Sequence, residues 1–135
     1  MVVVTLNAED RASLALRNEL SFRIRTRQNN STVLYLGSSD GISSFLTLNI
    51  VNGRLILALK LSDVMEQPVR GPVILINDGA DHYVEIKRQQ TMLELTVDNG
   101  ISVFAQTASA SPLKAQILLI GQAMTSSRSK RCVVC

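Results

Sequence analysis

The stretch SFLTLNIVNGRLILALKL, from Ser44 to Leu61, decides the fold. Apolar residues alternate with other residues on both sides of Asn52–Gly53, which is the period of a half-buried β-strand. An Asn-Gly pair between two such runs is the strongest short-range hairpin signal, because both residues accept the positive φ of a type I′ turn. The stretch therefore predicts two antiparallel strands joined by a tight turn.

The same alternation recurs along most of the chain. In ELSFRIRTR, Leu20, Phe22 and Ile24 fall on one face of a predicted strand, and polar residues fall on the other. The sequence DNG at Asp98–Gly100 predicts another turn. The stretch NAEDRASLALRNEL, residues 7–20, is the one part that is also compatible with a helix. About nine to eleven short strands at spacings of about 8 to 12 residues indicate an all-β antiparallel sandwich.

The composition is that of one folded domain. With 135 residues, 46% hydrophobic and 19% charged, the chain can bury a single core and is too apolar for a disordered segment. A net charge of +3 and only 4% aromatic residues do not indicate a nucleic-acid binder, which needs dense basic clusters or stacking platforms. No apolar run approaches the roughly 20 residues of a membrane-spanning helix, and the first residues lack the pattern of a signal peptide. These features fit a cytosolic protein or a piece excised from a longer one.

No catalytic constellation is evident in the sequence. The single histidine, His82, lies beside Asp81 at the start of a predicted strand, and no nucleophile elbow accompanies it. Phosphate-binding loops, dinucleotide fingerprints and zinc-hydrolase motifs are also missing from the sequence. We therefore expect His82 to have a structural or surface role, and we expect no enzymatic activity.

Four stretches, in order, resemble the laminin G-like domain of laminins, neurexins, agrin and crumbs. They are LSFRIRTRQNNSTVLYLGS (20–38), FLTLNIVNGRLILALKL (45–61), INDGADHYVEIKRQQTMLELTVDNG (76–100) and ILLIGQ (117–122). The block N-D-G-x-x-H-x-V-x-x-x-R within the third stretch is the most specific part of this resemblance. The resemblance implies a jelly-roll-like sandwich of two antiparallel sheets over residues 1–126, followed by a basic, cysteine-containing tail over residues 127–135.

The resemblance also implies a function. Members of the family are extracellular binding modules without catalytic activity, so we expect a cell-surface or secreted location within a larger protein, with a membrane reached only through that parent protein. The implied partners are proteins or sulfated and acidic glycans, without nucleic acid. A carbohydrate-processing enzyme or lectin on the same scaffold is disfavoured, because the chain has no Trp and only two Tyr to stack on sugars.

A basic ladder is the candidate glycan-binding feature. Arg23, Arg25 and Arg27 share the polar face of one predicted strand, about 7 Å apart, where they could meet sulfate or carboxylate groups. The alternative is that they are solvated charges on an exposed sheet face.

The family often binds calcium at the rim of the sandwich, and here the resemblance departs from the pattern. Ser44 stands where calcium-binding members have an Asp, immediately before the aromatic-Leu-x-Leu strand. The Asp40 carboxylate and the Leu61 carbonyl remain as implied ligands, but a neutral hydroxyl at Ser44 weakens a site for a hard cation greatly. We therefore expect no cofactor, with calcium as the doubtful exception. Asp81 likewise replaces a family tryptophan, which requires local repacking.

Two overlapping glycosylation motifs, N-N-S and N-S-T, begin at Asn29 and Asn30 in a polar turn between predicted strands. If the protein is secreted, this turn is accessible to N-glycosylation. Such short motifs also arise by chance.

The chain ends in SRSKRCVVC, residues 127–135. In the laminin G-like pattern, Cys135 stands at the half-cystine that begins the final strand, so the resemblance implies a disulfide partner beyond this chain and a sandwich that lacks its last strands. The alternative is a cytosolic β-sandwich protein that is lipid-anchored through CVVC, although Cys is an unusual last residue for prenylation of Cys132. A metal or redox pair is the third interpretation, with too few ligands for zinc.

Overall fold

In the computed structural model, the described residues are 2–5, 17–38, 40, 43–61, 64–108, 113–121 and 124–125, and every regular element among them is a β-strand. The strands are β1 (Val2–Thr5), β2 (Arg17–Ile24), β3 (Ser31–Gly37), β4 (Phe45–Val51), β5 (Arg54–Leu61), β6 (Val64–Met65), β7 (Val69–Arg70), β8 (His82–Gln89), β9 (Met92–Val97), β10 (Ile101–Gln106), β11 (Ile117–Ile120) and β12 (Met124–Thr125). Within these residues, no helix is long and apolar enough to cross a membrane.

The strands form two antiparallel sheets. A seven-stranded sheet has the order β1-β11-β3-β4-β5-β6, with β7 also paired to β5. A five-stranded sheet has the order β10-β9-β8-β2-β12. The predicted all-β sandwich of two antiparallel sheets is therefore confirmed.

The core lies between the inward faces of the two sheets. The alternation predicted for β4 and β5 appears as strict alternation of burial along both strands. Leu48 and Leu57 face each other across this pair and are fully buried, as is Phe22 in the opposite sheet. Burial of each such side chain contributes roughly 1.5–3 kcal/mol, so the alternating pattern supplies the main driving force for the fold.

Two predicted turns are confirmed by their backbone angles. Asn52 and Gly53 have φ values of 52° and 80°, as the type I′ hairpin requires. Asp98 and Asn99 have φ values of 55° and 60° in the turn between β9 and β10. Asn and Asp tolerate this region better than most residues, because their short side chains can hydrogen-bond locally.

The stretch 7–20 that is compatible with a helix is not helical where it is described. Residues 17–20 belong to β2, which pairs along its whole length with β8. The alternation of Leu20, Phe22 and Ile24 places all three side chains in the core, and this long-range pairing overrides the local helical pattern. Residues 7–16 lie outside the described residues, as does the tail 126–135 with Cys135, so the domain boundary at 126 stays a prediction.

The sandwich has two ends that matter for function. The hairpin rim consists of residues 25–30, 52–53, 76–82 and 98–100, which are joined by backbone hydrogen bonds such as Gly53 N–H to the Asn29 carbonyl, 2.9 Å. The serine rim, at the opposite end, consists of residues 38, 40, 43–44, 61 and 113–116 and includes a bond from Ser38 N–H to the Ser44 carbonyl, 2.8 Å.

Candidate functional site

The basic ladder runs along the end of β2 and onto the hairpin rim. Arg23 is the penultimate residue of β2 and lies opposite Tyr83. Arg25 and Arg27 follow the strand, and all three side chains are exposed. The structure therefore brings the three predicted residues to one surface, partly as a strand face and partly as a loop.

Arg25 is held in an ion pair. Its Nε donates to Asp81 Oδ1 at 2.8 Å and its Nη2 donates to Asp81 Oδ2 at 3.0 Å, which is the bidentate geometry that a guanidinium prefers with a carboxylate. The hydrogen bond from Arg25 holds the pKa of Asp81 below its usual value, and the same contact raises the pKa of Arg25. Asp81 is thus the partner of Arg25, and its charge offsets part of the ladder.

Arg27 has a different environment. Its guanidinium packs against the backbone of Gly79, where a Cβ would come within 2.6 Å of Nη2. Gly79 has a φ of 81° and donates its N–H to the Thr26 carbonyl at 3.0 Å, so the two loops are fixed together at this point. Within the described residues, the Arg27 side chain makes no hydrogen bond or ion pair. The side chain is exposed, so its donors are accessible to a ligand.

His82 joins three parts of the hairpin rim. Its Nε2 lies 2.8 Å from Asp78 Oδ1 and its Nδ1 lies 2.8 Å from Asp98 Oδ2. Partial burial disfavours the charged imidazole, but the hydrogen bonds to Asp98 and Asp78 outweigh it, so the pKa of His82 is raised. The hydrogen bond from His82 in turn lowers the pKa of Asp78. With a carboxylate on each nitrogen, the imidazole donates to both when it is protonated and then cross-links the two turns.

The two glycosylation motifs lie on the same rim as the ladder. Asn29 Oδ1 accepts from Asn77 Nδ2 at 2.8 Å, and Asn30 Oδ1 accepts from the Asn52 N–H at 3.2 Å. Both asparagines are exposed, and their hydrogen bonds use the oxygen of the amide. The nitrogen to which a glycan would be attached is not used in these contacts.

The implied calcium residues come together at the serine rim. The β4–β5 register pairs Phe45 with Lys60, so the next positions, Ser44 and Leu61, lie side by side. Asp40 is near, because Ser38 Oγ donates to its Oδ1 at 2.6 Å. The implied positions therefore lie at one end of the sandwich, although they are up to 21 positions apart in the sequence, and their role in calcium binding stays a prediction.

Among the described residues of this rim, Asp40 is the only carboxylate, and its oxygens are already hydrogen-bonded. Asp40 accepts hydrogen bonds from the Ser43 N–H at 3.0 Å and from the Ser43 hydroxyl, in addition to Ser38. Its oxygens are therefore already used in hydrogen bonds within this loop. Ser44 is buried, and its Oγ accepts from the Lys114 N–H at 3.2 Å. In the described part of the chain, no three His, Cys, Asp or Glu side chains lie close enough together to hold a metal ion. A hard cation needs six to eight oxygens with more carboxylate charge.

Two grooves lie away from the ladder. One of about 220 Å³ lies on the five-stranded sheet and includes Lys87 and Phe104. The other, of about 410 Å³, lies between the sheets and includes Glu66 and Val103. Neither contains an arginine of the ladder. All three ladder side chains are exposed, so the ladder presents a surface that suits an extended charged ligand.

The fold and its sequence pattern identify the family. The model of the laminin G domain matches residues 24–133. The chain belongs to the laminin G domain family. No curated protein matches it significantly.

Solved structures share the fold of this laminin G domain. Domains LG4–5 of the mouse laminin α1 chain superpose with a TM-score of 0.74 at 21% identity, over 98% of this chain and 35% of that one. The LG1–3 region of the laminin α2 chain superposes with a TM-score of 0.73 at 17% identity, over 98% of this chain and 26% of that one. The Ruminococcus gnavus sialidase module CBM40, bound to α2,3-sialyllactose, superposes with a TM-score of 0.65 at 13% identity, over 88% of this chain and 72% of that one. This domain thus spans only about a third and a quarter of the two laminin chains.

Sequence reasoning missed two partners on the hairpin rim. It assigned Asp81 only as a replaced tryptophan, and it did not connect His82 with Asp98, which lies across a different turn. The contact between Asp78 and His82 could have been predicted from the N-D-G-x-x-H block, since the two residues are only four positions apart. The contact between His82 and Asp98 depends on strand register.

Proposed function

We propose that this laminin G domain is an extracellular, non-catalytic binding module that recognises sulfated or carboxylate-bearing glycans at its hairpin rim. Arg23, Arg25 and Arg27 are the proposed contact residues. The mechanism is surface complementarity, in which guanidinium groups donate paired hydrogen bonds to anionic oxygens and no bond is made or broken.

The environment of Arg27 is the observation that carries the proposal. A guanidinium that is held against Gly79, is exposed, and has no acidic partner among the described residues is preorganised for an anion. Preorganisation lowers the entropic cost of binding, because the long side chain loses little freedom when the ligand arrives. A solvated arginine without such packing would lose more conformational freedom on binding.

The charges around Arg27 favour a ligand with several anionic groups. Arg25 already binds Asp81, so it can turn to a ligand only in exchange for that contact. A single anion gains little binding free energy at Arg25, because the new ion pair only replaces the one with Asp81. A polymer with repeated sulfates or carboxylates can engage the three arginines together, and its affinity must then fall steeply with salt.

The comparisons support a glycan ligand in general terms. The bacterial CBM40 module with the same fold is bound to α2,3-sialyllactose, a sugar with a carboxylate. The extracellular location rests on membership of the laminin G domain family.

Heparin affinity chromatography tests the proposal. We expect Arg27→Ala to bind about threefold to tenfold more weakly and to elute at lower salt than the wild-type domain. Lys114→Ala is the matched control, since it removes one positive charge from an exposed residue of the serine rim, at the opposite end of the sandwich. Equal retention of Arg27→Ala and wild type, or an equal loss in both variants, would refute a specific role for Arg27.

The proposed site and the glycosylation motifs compete for the same rim. A glycan on Asn29 or Asn30 would begin only two or three residues after Arg27. We therefore expect protein from a glycosylating host to bind heparin more weakly than the Asn29→Gln/Asn30→Gln double variant from the same host. Prenyl labelling of Cys132 in cells would instead support the cytosolic, lipid-anchored alternative and contradict the proposed location.

A further inference from the structure

Strand β10 is an open edge of the five-stranded sheet. It pairs with β9 through an uninterrupted antiparallel register from Ile101 to Gln106, and among the described residues no strand pairs with its other side. Exposure agrees with this position, because the Phe104 side chain is 66% exposed and Ile101 is 44% exposed.

Among the described residues, β10 has none of the features that protect edge strands. Its sequence, ISVFAQ, contains no proline, no glycine and no charged residue, and no bulge interrupts its pairing with β9. Natural sheets usually block such edges with charges, prolines, bulges or a covering segment, because a bare edge is a template for another strand. An edge of six uncharged residues that no described segment covers favours a partner strand.

The direction of the free backbone groups follows from one hydrogen bond. Thr107 N–H donates to the Thr91 carbonyl at 2.8 Å, so Thr107 faces β9. Backbone groups of successive strand residues point to alternate sides, and therefore Ser102, Phe104 and Gln106 direct their N–H and C=O groups to the open edge.

We propose that β10 pairs with β10 of a second copy, antiparallel and about a two-fold axis at Phe104. In this register Phe104 lies opposite its own copy, and Ser102 lies opposite Gln106 of the other. All three outward-facing residues then meet outward-facing partners, which forms about six backbone hydrogen bonds. A shift by two residues in either direction loses one of these pairs.

Side-chain chemistry favours a second copy over a charged partner. The two Phe104 rings would pack together on the outer face, where each is now mostly in water. Glu94 is the cross-strand neighbour of Phe104, so the two copies of Glu94 would be separated by both β10 strands and their repulsion would be screened. No like charges are brought into contact, and the two sheets would join into one continuous sheet.

Charge variants at the axis test this arrangement. Sedimentation velocity from about 1 µM to about 1 mM should show a concentration-dependent dimer for the wild-type chain. Phe104→Lys and Phe104→Glu should each be monomeric where the wild type is dimeric, because a residue on a two-fold axis faces its own charge. An equimolar mixture of the two variants should recover the dimer, since Lys then faces Glu.

Val73→Lys is the matched control, because Val73 is also apolar and 84% exposed but lies outside β10. It should leave dimerisation unchanged, and equal melting temperatures for all variants would exclude unfolding. Amide exchange at Ser102, Phe104 and Gln106 should slow on dimerisation. The proposal is wrong if the wild type stays monomeric throughout, if both charge variants dimerise alone, or if their mixture fails to recover the dimer.

Discussion

The raised pKa of His82 makes the stability of the hairpin rim depend on pH in a defined direction. A group whose pKa is higher in the folded state contributes stability that is fully present below its unfolded pKa, near 6.5, and is lost as pH rises through the folded value. Asp78 acts at the other limit: its lowered pKa contributes stability above about 3.8 that is lost as pH falls. The cross-link is therefore strongest between about pH 4 and pH 6.5.

The magnitude follows from the exposure of the groups. The His82 side chain is only 11% exposed, but its partners Asp78 and Asp98 are 53% and 42% exposed. The His82–Asp98 pair, with this solvent access, contributes about 0.2–1 kcal/mol. This corresponds to a melting temperature about 1–4 °C higher at pH 6 than at pH 8 for a domain of this size.

His82 is the only histidine in the chain, which makes the assay clean. Thermal unfolding of the wild type and of His82→Gln should be compared between pH 6 and pH 8, so that other titrating groups cancel in the difference. Proton NMR of the single imidazole should give a pKa above 6.5 in the folded protein. A flat wild-type profile, or the same pH dependence in His82→Gln, would show that the two carboxylates do not hold the imidazolium.

Three other predictions follow from particular contacts. Asp81→Asn releases Arg25 and adds one positive charge, so heparin affinity should rise about twofold to fivefold, and an unchanged elution would contradict the ion pair. Wild-type unfolding should not respond to calcium, whereas Ser44→Asp should be less stable without calcium and should regain about 3–6 °C with calcium in large excess. Gly53→Ala forces a side chain into positive φ and should lower the melting temperature by about 3–6 °C, while Gly100→Ala, which has open space, should be neutral.

Part of the candidate site could be predicted from local sequence. The period of two along β2 predicts that Arg23 faces away from Phe22, and the polar turn after it predicts an exposed Arg27. The serine rim also follows from the hairpin, because a turn at Asn52–Gly53 sets the β4–β5 register. These features follow from short-range backbone geometry, so they can be predicted without knowledge of the rest of the chain.

Other features depended on which strands become neighbours. Arg25 meets Asp81 across 56 residues, and His82 meets Asp98 only because β8 and β9 form adjacent strands. Likewise, ISVFAQ has the same pattern as the other strands, and only the strand order makes it an edge.

The sequence alone determined the all-β class, the turns and the inward face of each strand, since these depend on side-chain alternation and on residues that accept positive φ. The tertiary structure decided the charge balance of the hairpin rim, the hydrogen bonds of Asp40 and Ser44 at the serine rim and, among the described strands, the edge position of β10. Strand order and register minimise the free energy of the whole core, to which residues far apart in sequence contribute together, and no local window contains that sum.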